Sequence, residues 1–278
     1  MSDIQQHLQE VTELISLPEV YLKVQRLMDD PAADIYDFAE VISVDPNLST
    51  RVLKVVNSAY FGFPEPVESI SRAINMIGIG PLHNMVLGIS AISSLSLPND
   101  IMPLNTFWRA SLYSGVLARL LAEKLKLSKS DHLFIAGLLH EIGHLVLYSK
   151  FPQQASEAHK IAEEQGLPLH VAEVQVMGYH YGDVGAMLMA NWNLSDNLQM
   201  LTRYQPTPRA ATQNQVETAL MNLAHTCAHS VTTENRNAAD TVTDAEVLEI
   251  TGLTQAELEF SMDEAGSISA DMEKVILA

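Results

Sequence analysis

Residues 137–148 read Gly-Leu-Leu-His-Glu-Ile-Gly-His-Leu-Val-Leu-Tyr, so His140 and His144 stand four apart with Glu141 between them. On a helix, positions i and i+4 share one face. Two imidazoles at that spacing could hold a zinc ion while the carboxylate takes a proton from a metal-bound water, the chemistry of H-E-x-x-H peptidases. That chemistry needs a third protein ligand. The continuation Leu145–Phe151 supplies neither the glycine nor the third histidine of the longer H-E-x-x-H-x-x-G-x-x-H pattern, which leaves Glu163 or Glu164 as the candidate. Such enzymes also bind peptide along a strand edge, and this chain offers no convincing strand. Gly143, flanked by Leu, Ile and Val, reads instead as part of a buried and closely packed helix.

The elements that must position these residues are helical throughout. Apolar residues recur at three and four along nearly every long segment, whereas two-residue alternation is scarce. The period predicts helices over 18–28, 35–43, 47–60, 69–76, 81–95, 106–125, 129–150, 152–165, 169–176, 182–192, 196–203, 212–231, 244–249 and 255–277. Asp30-Pro31 and Asp45-Pro46 read as start signals, since Asp caps a first turn and Pro fits within it. Gly166 ends the polar helix before it. The polar break Leu97-Pro-Asn-Asp100 separates a first lobe from a second. Trp108 and Trp192 sit on apolar helix faces as core anchors.

Charge narrows the partners. The chain has 278 residues with 34 acidic against 16 basic side chains, a formal net charge of -18. Such a surface repels phosphate backbones and anionic headgroups, so neither nucleic acid nor a membrane surface is an expected partner. Residues 234–278 hold eleven acids against Arg236 and Lys274. That segment reads as a solvated face or as an electrostatic docking surface for a basic partner. Apolar windows at 85–97 and 112–121 are too short or too polar for a membrane span. The lone Cys227 and the absence of a leader pattern point to a reducing, cytoplasmic setting, with Cys227 an inert buried thiol.

Several ordered motifs extend well beyond the pentapeptide. They are Asp30-Pro31, the run Val41–Leu48, the run Leu53–Gly62, Ile70-Ser-Arg-Ala-Ile74 with Ile77-Gly78, Phe107–Leu112, Ala136–Gly143, and Gly178–Gly185 followed by Trp192-Asn-Leu194. In these the chain, over about residues 12–205, resembles the HDOD domain family of bacterial signalling proteins.

The resemblance implies an all-α, multi-helix, HD-like bundle in two packed lobes. Residues 1–99 would form the N-terminal lobe, 100–210 the HD-like lobe with a degenerate metal site, and 211–278 an acidic helical extension packed on that second lobe. His140-Glu141 then occupies the place of the adjacent His-Asp pair of metal-dependent HD phosphohydrolases. The upstream His of those enzymes is replaced by Ala110, which cannot coordinate. Glu in place of Asp carries its carboxylate about 1.5 Å further out, where coordination tolerates about 0.2 Å. An adjacent-His pair appears as Arg203-Tyr204. The implied metal set is His140, Glu141, His180 and His225, with His144 as polar filler on the same helix. The bland alternative makes these histidines hydrogen-bond donors to helix-end carbonyls. Asn57 is either a local hydrogen-bonding residue or part of a partner surface, and Arg72, which could pair with Asp45 or with a phosphate group, is the other residue assigned to that surface.

The expected role is regulation by binding signalling proteins on separate chains, with no catalytic residue and no cofactor. The rival is a metal-dependent phosphohydrolase acting on a nucleotide or another phosphoester, carrying Fe, Mn, Mg or Zn.

Overall fold

Residues 12, 15–95, 101–127, 130–232 and 245–277 are described by a computed structural model, and among them every regular element is a helix. Two units are formed, one from residues 17–95 with 266–278 and the other from 1–16 with 96–265.

In the first of these, α1 (Glu19–Met28), α2 (Ile35–Ser43), α3 (Pro46–Val56), α4 (Ile70–Ile77) and α5 (Ile79–Ser94) pack on apolar faces. Tyr21 and Val24 of α1, Phe38 and Ile42 of α2, and Val52 and Val56 of α3 are at most 2% exposed and form the centre of this core. Caps set the boundaries. The Asp45 carboxylate accepts from the N–H groups of Asn47 and Leu48, with Pro46 at the first helical position. Asp34, not Asp30, caps α2 and closes a reciprocal capping box with Asp37. Asp30 accepts instead from the Ala32 N–H in the preceding turn. The sequence period carries α3 through to Tyr60, yet the helix stops at Val56. There the Asn57 amide donates to the Leu53 and Val67 carbonyls and its oxygen accepts from the Val67 N–H, drawing the chain into the Pro-rich loop.

The other unit is built on α6 (Leu104–Lys124), whose buried residues include Phe107, Trp108, Ala110, Ser111, Leu112 and Val116. A helix buried nearly all round belongs at the centre of its unit. It packs against α7 (Ser130–Leu139) and α13 (Gln215–Thr232). Between these in sequence come α8 (Ile142–Lys150), α9 (Pro152–Gln165), α10 (Leu169–Met177), α11 (Tyr181–Asn191), α12 (Asp196–Tyr204) and a 3-10 turn at Pro208–Ala210. Beyond α13 come α14 (Ala245–Thr251) and α15 (Gln255–Ile276), whose residues are divided between the units at 265 and 266. Small residues set the close packings. Ala158, Ala162 and Ala172 join α9 to α10, and Gly115 of α6 meets Gly137 of α7 so closely that a Cβ on either would strike the other helix's backbone. Trp192 is 4% exposed and donates from its indole to the Ile15 carbonyl.

One expected element is corrected. The sequence reads as a single helix over 129–150, but the chain breaks at His140 and Glu141 into α7 and α8. Glu141 leaves helical dihedrals, at φ -101 and ψ 6. The break is held from both sides. His140 Nδ1 donates to the Gly137 carbonyl at 2.7 Å, one of the last carbonyls of α7 and so without a partner inside that helix. On the far side the His144 N–H donates to the Glu141 carbonyl at 2.8 Å, which opens the first turn of α8. No helix among the described residues is long and apolar enough to cross a membrane.

Candidate metal centre at the helix break

The break turns His140 and Glu141 inward, where α13 brings two further histidines against them. His140 is 0% exposed, Glu141 3% and His225 8%. His140 Nε2 lies 2.9 Å from His225 Nδ1. The Glu141 carboxylate is 3.8 Å from His140 Nε2 and 3.6 Å from His225 Nδ1. His229, one turn beyond His225, directs Nε2 at both Glu141 oxygens, 3.1 Å from each. From the other side His144 Nδ1 approaches the same carboxylate at 3.3 Å.

The tautomer of His140 follows from its neighbour. A carbonyl only accepts, so Nδ1 must carry the proton that goes to Gly137, and the lone pair at Nε2 of the neutral ring then accepts from His225 Nδ1–H at 2.9 Å. Burial pushes the His140 pKa down, against the pull of Glu141, so the neutral form is the stable one. A backbone carbonyl that fixes one ring nitrogen and leaves the other as donor is how proteins orient a ligating histidine. His225 is pushed well below the ordinary imidazole range by burial and by the neighbouring His229. Glu141 behaves in the opposite way. Burial alone would raise its pKa, but His229, His225 and His144 outweigh that and hold it well below the carboxylate range.

Behind Glu141 lies a second buried acid. His144 Nε2 is 3.0 Å from Glu173 Oε1, an ion-pair contact set off the line of a directed hydrogen bond. Burial opposes a charge on His144, yet Glu173 and Glu141 on its two sides lift its pKa to about 9. Glu173 Oε2 accepts from the N–H of Tyr181, the first residue of α11, where unpaired helix N–H groups favour a carboxylate. The same helix lies so near α8 that a Cβ on Gly143 would strike the Tyr181 carbonyl oxygen. The Tyr181 ring covers His144, with centroids 4.0 Å apart.

The expected site residues are thus sorted by position. His140, Glu141 and His225 come together, with one donor atom from each lying within 4.8 Å of the others. His180 does not join them. It caps α11, where Nδ1 accepts from the Gly182 N–H at 3.0 Å and Nε2 faces Asp183 at 3.5 Å. His144 is more than filler, since it links two buried carboxylates. Glu163 and Glu164 are exposed on α9, with Glu164 paired to Lys160, so a peptidase ligand set does not form. Cys227 is 3% exposed and burial lifts its thiol to about 12, an inert group. In the other unit Asn57 is absorbed in its loop bonds, and Arg72 pairs with Glu65 at 3.3 Å on the surface.

Sequence reading misses two site residues, His229 and Glu173. Both leave a signal. His225 and His229 have the i, i+4 spacing that puts two imidazoles on one helix face, and Glu173 is the lone acid in a mostly apolar helix.

The cluster suits a divalent ion. Imidazole nitrogens and carboxylate oxygens bind first-row metals at about 2.0–2.2 Å, so adjacent donors around one ion stand roughly 3–4 Å apart, as do the donors of His140, Glu141 and His225. The Nε2 lone pair of His140, which here accepts from His225 Nδ1, points into the cluster.

An all-helical architecture with a buried His-Glu pair at a helix break is the setting of this centre. The model of the HDOD domain matches residues 14–208, and the chain belongs to that family. A candidate phosphohydrolase from Shewanella amazonensis SB2B shares the fold at a TM-score of 0.77, with 21% identity over 99% of this chain and 98% of that one. A candidate signal transduction protein from Marinobacter aquaeolei VT8 is similar at a TM-score of 0.72 and 22% identity, covering 98% of this chain and 61% of that one. An uncharacterized protein of Treponema pallidum (strain Nichols) is 29% identical over 188 residues, which cover 67% of this chain. The match spans 36% of that relative's length.

Proposed function

We propose that this chain is a regulatory HDOD protein of bacterial signal transduction that acts by binding other proteins, and that its His-Glu cluster holds a divalent ion without hydrolysing a phosphoester. The observation that carries the reading is the enclosure of Glu141. Catalytic metal sites keep a position open to water and substrate, whereas structural sites are closed by protein ligands. Here the carboxylate is 3% exposed and has His140, His144, His225 and His229 around it. Ala110, at the place where enzymatic relatives carry a further His, is 2% exposed and offers no donor. The ion, when bound by His140, Glu141 and His225, supplies positive charge that fixes the helix break.

Partner binding then belongs to surfaces elsewhere, and Arg72 with its half-exposed side chain is the residue we assign to such a contact. Affinity capture from the native host tests this with wild type, His140→Ala and Arg72→Ala. The expected result is a specific partner retained by His140→Ala and lost by Arg72→Ala. A partner lost by His140→Ala in a chain that remains folded, and kept by Arg72→Ala, contradicts the reading.

A further inference from the structure

We propose that the outer face of α2 is a docking surface for a basic amphipathic helix of a partner protein, with Tyr36 and Val44 as its apolar anchors and the surrounding carboxylates as its charged rim. The inference rests on the reading that this chain acts by binding other proteins, and it adds a surface and the partner's chemistry.

The face follows from spacing. Phe38, Ala39 and Ile42 turn into the core of their unit, where α2 packs against α1, α3 and α4. Tyr36, Glu40 and Val44 stand at i, i+4 and i+8, one stripe on the side turned away from that core. A surface helix ordinarily keeps charged or polar side chains there. Here Tyr36 is 75% exposed and Val44 76%, the two most exposed large apolar side chains among the described residues, and Met28 at the end of α1 is exposed beside the turn that leads into α2. Phe260 on α15 comes next in exposure, but Lys124 Nζ lies over its ring, 5.4 Å from the centroid. Among the described residues no cation or second ring is found over Tyr36.

Charge selects the occupant. Residues 27–50 contain Asp29, Asp30, Asp34, Asp37, Glu40 and Asp45 and no Lys, Arg or His. Four of these carboxylates accept from backbone N–H groups, which leaves their charge in place. Asp29 and Glu40 are exposed and, among the described residues, carry neither a side-chain cap bond nor an ion pair. A partner that offers Lys and Arg around an apolar row meets both features of the face, and the attraction steers its approach. An amphipathic helix supplies such a row at helical spacing, and Tyr is among the side chains that dominate interfaces of this kind. A phosphate backbone is repelled, and a second copy of this chain brings the same sign of charge to the contact.

The test is fluorescence anisotropy of the full chain with a labelled synthetic peptide of about 18 residues, an amphipathic helix with a Leu row and Lys on its polar face. A peptide of the same pattern with Glu in place of Lys is the charge control. Wild type is compared with Tyr36→Ala, with the pair Asp29→Asn and Glu40→Gln, and with the pair Glu259→Gln and Phe260→Ala on α15, circular dichroism verifying the fold of each. The expected result is binding of the Lys peptide alone, weakened by salt, with affinity lowered on the order of 10-fold by Tyr36→Ala, several-fold by the α2 charge pair and not at all by the α15 pair. Wild type that binds neither peptide, Tyr36→Ala that binds as well as wild type, or an equal loss in the α15 pair would overturn the proposal. A wild-type dimer in sedimentation that Tyr36→Ala dissolves would overturn it too, because the face would then belong to a second copy. In affinity capture from the native host, a specific partner lost by Arg72→Ala and retained by Tyr36→Ala overturns the α2 surface and leaves the binding role standing. Capture of no specific partner overturns both.

Discussion

At the scale of single residues, the centre depends on charges that are buried but matched. Glu173 is 1% exposed and serves two partners, His144 and the Tyr181 N–H. Removing one member of a buried ion pair leaves the other charge uncompensated, which costs on the order of 3 kcal/mol. Glu173→Gln should therefore lower unfolding stability by about that amount, read as a shift of the urea midpoint at unchanged slope. A midpoint equal to wild type would show that His144 is not held charged between the two acids. Surface residues behave differently. Arg72→Ala breaks an ion pair whose side chains are 49% and 79% exposed, and such pairs contribute about 0–1 kcal/mol. Asn57→Ala removes three hydrogen bonds that tie Val67 and Leu53 to the end of α3 and should cost about 1–3 kcal/mol. Comparing the two melting temperatures separates a residue that builds its unit from one available for binding.

At the scale of elements, the helix break and the close packings decide where the site lies. A Cβ on Gly143 would meet the Tyr181 carbonyl and the Gly185 N–H of α11. Overpacking of this kind costs about 1–3 kcal/mol and here more, because both obstacles are backbone. Gly143→Ala should lower stability by at least about 3 kcal/mol and loosen metal binding with it. Gly80 of α5, with nothing near its missing Cβ, is the control, and Gly80→Ala should be neutral or stabilising by up to about 1 kcal/mol. Helical content and most helix positions are legible in the sequence, because the three-and-four apolar period survives wherever one face is buried, as in α9. The break inside 129–150 is not legible. Leu138, Leu139, Ile142 and Leu145 continue the apolar pattern across it, and the helix is opened by a tertiary arrangement of His140, Gly143 and α11 that no local spacing encodes. His140, Glu141 and His180 come from the ordered motifs and His225 from beyond them, and the folded chain brings His140, Glu141 and His225 together while His180 stands as a helix cap.

At the scale of the whole molecule, buried neutral histidines set the response to acid. His83, His159, His170 and His180 all have pKa values lowered by burial, His170 to about 4. The unfolded chain binds protons at these groups near pH 6.5 while the folded chain refuses them, so the stability they contribute is present above that pH and is lost as the pH falls towards 4. His144 runs the other way, since its raised pKa contributes stability below about pH 6.5 that is lost only as the pH rises through about 9. With His140 and His225 also lowered by burial, six groups against one predict a melting temperature lower at pH 5 than at pH 7, by about 2–4 °C for each kcal/mol lost. His170→Gln should flatten that slope. The central claim, however, is that a chain with the HDOD fold holds an ion without using it for hydrolysis. The most direct test is to load the full chain with Zn²⁺, Mn²⁺ or Fe²⁺, measure the bound ion, and assay it against nucleotides and simple phosphoesters. Stoichiometric metal and no turnover above that of His140→Ala is the expected result. Metal-dependent hydrolysis that disappears in His140→Ala would contradict the claim and make this protein an enzyme.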